Sequence, residues 1–314
     1  MPLTGTSKIT ERAVVATLLY DLSQGLGTMW HDPFTRIVQS NQPDGETHAW
    51  LGGISGMTER KGDPQFDKIA ALTFFVRNVP FHMGIKVTRE DWLYQKSGQI
   101  ASRVNQMVPK ALQHPGTLIL SALANAESAP CVDGKYYFAA DHVEGSSGTQ
   151  SNALTVTKAG TLPTVDELSK AINTGIAGLW ALKDDKGEYC NLDARDFTVG
   201  APVTLMPLLL QTLGITIRPG SSATVIDPNN GAYRLTPQIL PGVTGNKIVL
   251  MVNRPGGMGS AFVQQILEAP QPYSLGLESE YCKLNNALLF GIKGTYNIAY
   301  GRWQDAMQVT FTGP

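Results

Sequence analysis

The amino-acid sequence predicts an α+β protein with a long β-hairpin, a long helix and a mixed second half. Apolar and polar residues alternate from Phe81 to Val87, which is the period of a half-buried strand. Apolar residues then recur every three or four positions from Ile100 to Leu112, which is the period of an amphipathic helix. Short strands and turns are predicted over 215–290. Because the chain has 314 residues, which is long for one compact domain, we expect two closely joined subdomains.

The first 45 residues read as an N-terminal arm without a complete fold of its own. A helical stretch from Glu11 to Leu22 is followed by Gly25 and Gly27. The sequence Gln-Pro-Asp-Gly at 42–45 is a strong turn signal. We expect this arm to become ordered by packing on another element.

Residues 46–87 are predicted to form one long hairpin, with Phe81 to Val87 as its return strand. Its tip, from Met57 to Lys68, is rich in charge. Two isolated strands are only marginally stable, so a neighbouring element or a second subunit is implied. The tip residues predicted to contact neighbouring subunits are Glu59, Arg60, Lys61, Asp63, Asp67 and Lys68.

A helix is predicted to begin at Thr88, where Thr88 and Asp91 resemble a capping box. Pro109 and Pro115 should bend or break it, because proline cannot donate to the preceding turn. The helix is expected to resume through Leu118 and to form a kinked spine over 88–126.

The remaining elements are predicted from shorter patterns. Thr164-Val-Asp-Glu167 is a full capping box that opens a helix with its buried face at Leu168, Ile172, Ile176 and Leu179. A strand at 197–200 leads into a helix that ends at Gly214. Two strands flank Gly301 in the stretch 288–312.

Composition excludes several classes of protein. The hydrophobic fraction of 42% supports a packed core, and 25 basic against 26 acidic residues give a net charge of −1, with no strongly basic surface for nucleic acid. The three cysteines lie far apart, which argues against a disulfide framework. We expect no signal peptide and no membrane span, because the longest apolar run, 205–210, is too short.

Patterns for catalysis and cofactor binding are weak, and we expect no enzyme activity, no cofactor and no metal. Gly257-Met-Gly259 lacks the third glycine of a dinucleotide fingerprint, and no phosphate-binding loop sequence occurs. The five histidines show no metal-ligand spacing. Cys131 with His142 and Asp141 is the alternative, a thiol nucleophile with a base and an orienting acid. A structural loop packed under the spine is the favoured interpretation.

Four local patterns occur in order between residues 48 and 142. They are His48-Ala-Trp50-Leu51-Gly52, Val87-Thr-Arg89-Glu90-Asp91, Pro115 with Leu118 and Ile119, and the segment from Pro130 to His142 with its Cys-Val-Asp-Gly turn. With the order of arm, hairpin and spine, they resemble the Hong Kong 97 fold of tailed-phage major capsid (head) proteins. More narrowly, the chain resembles the Mu-like major head subunit family. The resemblance is looser over 164–214 and rests on element order thereafter.

The resemblance implies a division of the chain and a function. The implied parts are an N-terminal arm (1–45), an extended loop (46–87), a peripheral domain with the spine helix (88–189), an axial domain (190–290) and closing strands of the peripheral domain (291–314). It implies self-assembly into hexamers and pentamers of an icosahedral head that encloses double-stranded DNA without sequence-specific binding. Portal, scaffold or decoration proteins are implied as partners, with assembly in the host cytoplasm and a final location in the virion. An encapsulin-like compartment shell that packages a cargo enzyme is the alternative.

Some members of this broad fold join a lysine of the extended loop to an asparagine of a neighbour. Lys61, Lys68 and Asn297 lie in suitable parts of the sequence for such an isopeptide bond. Ordinary ion pairs at the rim of an interface, each worth about 0–1 kcal/mol, are the favoured role for the tip charges.

Overall fold

A computed structural model describes residues 11–25, 29–51, 71–94, 100, 102–104, 106–214, 233–254 and 260–313. The helices are α1 (Glu11–Gln24), α2 (Arg89–Leu93), α3 (Met107–Ala124), α4 (Val165–Ala181), α5 (Met206–Gly214) and α6 (Glu280–Asn285). The strands are β1 (Thr35–Gln39), β2 (Gly45–Leu51), β3 (Ala71–Arg77), β4 (Val79–Thr88), β5 (His142–Val143), β6 (Thr149–Gln150), β7 (Ala153–Thr157), β8 (Asp196–Ala201), β9 (Arg234–Ile239), β10 (Lys247–Val252), β11 (Phe262–Leu275), β12 (Ala287–Tyr300) and β13 (Ala306–Thr312).

A four-stranded sheet in the order β1-β11-β12-β4 forms one half of the molecule. Strands β11 and β12 are 14 residues each and run antiparallel, with β1 parallel to β11 on one side and β4 antiparallel to β12 on the other. At about 3.4 Å per residue, each long strand spans roughly 45 Å. This sheet is therefore an elongated platform.

The predicted hairpin exists at its base, but its return strand is different from the one expected. Strand β2 pairs antiparallel with β3, from Gly45 opposite Arg77 to Leu51 opposite Ala71. Strand β4 instead pairs with β12, so the prediction that Phe81 to Val87 returns along the hairpin is wrong. Its alternation is confirmed, because odd-numbered residues from 79 to 87 are more buried than their neighbours. An edge strand with one covered face gives the same pattern as a hairpin arm.

Helix α3 packs across β12 and runs without a break through both prolines. Pro109 lies in the first turn, where backbone N–H groups have no partner within the helix in any case. Pro115 lies in the interior and removes the bond to the carbonyl of Ala111. The predicted break is wrong, because packing of the buried face, which includes Ile119 and Leu123, outweighs the lost bond.

The start of the predicted spine is confirmed in part. Thr88 Oγ1 accepts a hydrogen bond from Asp91 N at 3.1 Å, so Thr88 caps α2. Residues 100 and 102–104 are helical. Residues 95–99, 101 and 105 lie outside the described part of the chain, so a single rod over 88–126 stays a prediction.

A five-stranded mixed sheet in the order β7-β13-β10-β8-β9 forms the other half. Helix α4 covers it with the predicted face of Leu168, Ile172, Ile176 and Leu179, and the capping box of Thr164 and Glu167 is confirmed. Central strand β10 is buried along Ile248 to Val252. Strands β7 and β13 join this sheet, so it combines strands from within 190–290 with strands from both flanking segments.

Candidate functional site

The tip residues predicted to contact neighbours lie outside the described residues. These are Glu59, Arg60, Lys61, Asp63, Asp67 and Lys68. The base of the hairpin is described, and it is held by a buried polar network. That network fixes where the hairpin leaves the four-stranded sheet.

Gln265 on β11 is the centre of this network and has no exposed surface. Its Nε2 donates to the carbonyl oxygen of Val76 at 3.0 Å and to Asn78 Oδ1 at 2.7 Å. Because both amide hydrogens are used in this way, Gln265 Oε1 is an acceptor, and His48 Nε2 donates to it at 2.5 Å. Gln265 therefore binds both strands of the hairpin to the sheet.

Asn78 extends the network to the arm. Its Nδ2 donates to Ser40 Oγ at 3.0 Å and to the carbonyl oxygen of Gln42 at 2.6 Å. Asn78 is only 5% exposed and lies between β3 and β4. The arm, the hairpin and the long sheet are thus joined by the side-chain amides of Gln265 and Asn78, whose N–H groups are all hydrogen-bonded. Such a network specifies geometry, because any other arrangement leaves buried polar groups without partners.

Asn297, the candidate partner in the less favoured lysine cross-link, uses its amide within the subunit. Its Nδ2 donates to the carbonyl oxygen of Arg77 at 2.8 Å, and its Oδ1 accepts from Ile298 N at 2.8 Å. Lys61 and Lys68 lie outside the described residues, so the structure does not test the cross-link, which stays the less favoured alternative to ion pairs. Within the structure, Asn297 is a further tie between β12 and the hairpin base.

A second polar cluster lies in the loop that follows α3. Cys131 Sγ donates to Asp133 Oδ1 at 3.0 Å, and His142 Nδ1 lies 2.6 Å from Asp133 Oδ2. His142 is fully buried and stacks on Trp303, with ring centroids 4.1 Å apart and an interplanar angle of 4°. The predicted grouping of Cys131, His142 and Asp141 contains the wrong carboxylate. Asp141 pairs with Lys135 at the surface, and Asp133 takes the place beside the histidine.

The electrostatics of this cluster argue against a thiol nucleophile. Burial raises the pKa of the Cys131 thiol well above its usual range, and the hydrogen bond to Asp133 raises it further. Burial also works to raise the pKa of the Asp133 carboxyl, but hydrogen bonds from His142 and Cys131 more than offset it and hold that pKa below its usual value. The thiol faces a carboxylate and stays protonated at neutral pH, whereas a reactive cysteine needs a thiolate.

A buried ion cluster holds the turn before β13. Asp305 is fully buried, with Arg254 Nε 3.6 Å from its Oδ1 and Arg302 Nε 3.5 Å from its Oδ2. Burial raises the pKa of Asp305, and the two arginines oppose that rise. Arg254 Nη2 also donates to Asn191 Oδ1 at 2.5 Å. The cluster therefore links β10, the loop at 190–191 and the β12–β13 turn inside one subunit.

Sequence reasoning missed Gln265, Asn78 and Asp133. A lone glutamine within a long strand carries no local signal of its partners. Asp133 did carry one, because it lies two residues after Cys131 in a tight turn. Among the helices that the structure describes, none has the length and apolarity needed to cross a membrane.

Solved structures of phage capsids share this fold. The asymmetric unit of the bacteriophage PhiM1 mature capsid matches with a TM-score of 0.57 and 11% identity, over 92% of this chain and 89% of that one. The capsid of cyanophage P-SCSP1u matches with a TM-score of 0.55 and 10% identity, over 92% and 89%. The procapsid of bacteriophage JBD30 matches with a TM-score of 0.51 and 15% identity, over 98% and 77%. The chain therefore has the α+β Hong Kong 97 fold of phage capsid proteins, as predicted.

Sequence comparison narrows the class. Residues 20–173 match the family model described as Mu-like prophage major head subunit gpT. The Mu-like prophage FluMu major head subunit of Haemophilus influenzae is 27% identical over 110 residues, which are 35% of this chain and 36% of that protein. The major capsid protein of Escherichia phage Mu is 24% identical over 106 residues, 34% of this chain and 35% of that protein. Residues 20–173 are therefore similar to the Mu-like major head subunits, and the chain matches only about a third of the length of these two relatives.

Proposed function

We propose that this chain is the major capsid protein of a tailed-phage head. The observation that carries the proposal is the coincidence of two matches: the family of Mu-like major head subunits over 20–173, and a phage-capsid fold over 92% or more of the chain. The encapsulin-like alternative is not favoured, because the sequence relatives are head subunits.

In the proposed head, the chain assembles into hexamers and pentamers around double-stranded DNA. The net charge of −1 supports enclosure without a tight grip on the nucleic acid, since strong binding to phosphates needs a basic surface. Assembly would take place in the host cytoplasm, with portal, scaffold or decoration proteins as further partners. We assign the chain no catalytic role, in line with the protonated thiol at Cys131.

The hairpin and the arm would perform the assembly. The hairpin base is held on the long sheet by Gln265 and Asn78. The tip charges at 59–68 would form ion pairs with a neighbour, and repetition around a closed ring would multiply small energies. The division into arm (1–45), extended loop (46–87), peripheral parts (88–189 and 291–314) and axial domain (190–290) remains part of this proposal.

Electron microscopy of the expressed full chain tests the function. We expect closed, icosahedral particles that sediment far faster than a single subunit. If the folded chain remains a small discrete oligomer at high concentration and with molecular crowding, the shell function is wrong for the chain alone. Co-expression with the neighbouring phage genes then tests whether a scaffold is required, and failure there as well rejects the proposal.

A further inference from the structure

The cluster of Cys131, Asp133 and His142 brings three different metal-ligating groups to one point. One donor atom from each residue lies within 4.8 Å of the other two. The Asp133 side chain is 4% exposed and that of His142 is 0% exposed. Cys131 is partly exposed, which leaves a side of the cluster open to solvent.

The hydrogen bonds of Asn152 fix the tautomer of His142. Asn152 Nδ2 donates to the carbonyl oxygens of Tyr137 at 2.8 Å and Trp303 at 3.2 Å. Asn152 Oδ1 is therefore the acceptor, and it also receives Ala139 N at 3.0 Å. His142 Nε2 lies 3.2 Å from this oxygen, so Nε2 carries a hydrogen.

A neutral histidine has only one N–H, so the lone pair of Nδ1 then points at Asp133. Nδ1 lies 2.6 Å from the Asp133 carboxylate, and two electron pairs at that distance repel each other. A positively charged occupant, either a proton or a metal ion, must lie between them. The thiol of Cys131 converges on the same carboxylate at 3.0 Å.

We propose that Cys131, Asp133 and His142 form a binding site for a divalent cation of the zinc class. Zinc accepts cysteine sulfur, histidine nitrogen and carboxylate oxygen in a tetrahedral arrangement, and a water can fill the fourth position. A metal-bound histidine usually donates its other N–H to an oxygen, as His142 does to Asn152. Nothing in the proposed shell function requires this site.

The charges and the geometry suit such an ion. Binding forms a sulfur–metal bond and releases the thiol proton to water, so a thiolate and a carboxylate neutralise the two positive charges. Metal bonds of about 2.0–2.3 Å at tetrahedral angles place ligand atoms roughly 3.4–3.6 Å apart. The donor atoms now lie within 4.8 Å of one another, with Cys131 3.0 Å from one oxygen of Asp133 and His142 2.6 Å from the other, so side-chain rotation that moves them by about 1 Å brings them to these separations.

The ion would close the loop 131–142 on itself, with His142 held against the body of the subunit by its existing contacts. His142 stacks on Trp303, which lies in the turn before β13, and Asn152 precedes β7. The three ligands all come from a segment of 12 residues, from Cys131 to His142. A bound ion would replace the weak thiol hydrogen bond by a metal bond at the open side of this loop.

Cobalt substitution of the untagged full chain tests the site. After removal of metals and addition of Co²⁺, we expect one bound ion per chain, tetrahedral visible bands and a thiolate-to-cobalt charge-transfer band. Elemental analysis after dialysis against Zn²⁺ should give the same stoichiometry. Cys131→Ser should abolish the charge-transfer band and weaken zinc binding at least about tenfold. Cys190→Ser, at the other partly exposed cysteine, should change neither.

Two results would overturn the proposal. The first is a folded wild-type chain that binds no Co²⁺ or Zn²⁺ and shows both ring nitrogens of His142 protonated by ¹⁵N NMR, which identifies the occupant as a proton. The second is a charge-transfer band that persists in Cys131→Ser. Circular dichroism of both serine variants verifies that they fold, and Asp133→Asn provides a second ligand variant if Cys131→Ser does not.

Discussion

Replacement of Gln265 by methionine should release the base of the hairpin. Methionine has a similar length and no hydrogen-bonding amide, so Gln265→Met removes one accepted and two donated bonds. The carbonyl of Val76 and Asn78 Oδ1 belong to buried residues and each lose one hydrogen bond, at about 1–3 kcal/mol each. His48 is half-buried and can turn to water. The expected loss is about 3–5 kcal/mol of local stability at the hairpin base.

Hydrogen exchange is the direct assay, because it reports opening of individual strands. We expect the amides of β2 and β3 to exchange much faster in Gln265→Met, while those of β10 keep their protection. Gln39→Met is the matched control. Its amide makes one exposed bond of 3.2 Å to the carbonyl of Leu267, and the change should stay within about 0.5 kcal/mol. Equal exchange in the two variants would refute the role of Gln265.

Two further predictions concern a close backbone approach and acid sensitivity. A Cβ at Gly301 would lie 2.1 Å from the carbonyl oxygen of Ser260, so Gly301→Ala should lower the free energy of unfolding in urea by about 3 kcal/mol. The control is Gly214→Ala, which should leave this free energy unchanged because no atom lies within 4 Å of the added Cβ. Equal losses in the two variants would contradict the packing. The hydrogen bond from Lys247 lowers the pKa of Glu127 in the folded protein. The stability that this pair contributes is therefore present above the ordinary carboxyl pKa, and it is lost as the pH falls through the lower pKa of the folded state. Glu127→Gln should therefore show a smaller loss of stability between neutral and acidic pH, and an unchanged pH profile would exclude this pair as a contributor.

Local patterns predicted the elements better than their partners. The helix at Val165–Ala181, the strand at Asp196–Ala201 and the two final strands follow from capping residues and hydrophobic period, and all are confirmed. The return strand of the hairpin was misplaced, because alternation records a covered face and not the strand that pairs with it. Pairing of β4 with β12 joins residues about 200 positions apart, and no local pattern encodes it.

Two further predictions from local sequence, for Pro115 and Asp141, differ from the structure because of tertiary packing. Pro115 was expected to interrupt a helix, yet the helix is pressed so closely against Trp30 that a Cβ at neighbouring Gly116 would lie 2.9 Å from its indole nitrogen. Asp141 was paired with His142 because the two are adjacent in sequence. The turn at 131–134 instead brings Asp133 under the histidine and leaves Asp141 to Lys135 at the surface. For the histidine, the sequence offered two aspartates, and only the three-dimensional position of the turn distinguishes them.

Deletion of residues 56–68 tests the central claim most directly, because that claim assigns assembly to the hairpin. Negative-stain electron microscopy of the deletion variant would be compared with the intact chain under identical conditions. We expect closed particles from the intact chain, and folded but unassembled subunits from the variant, with native circular dichroism and intact protection of β10. Closed particles from the deletion variant would contradict the account.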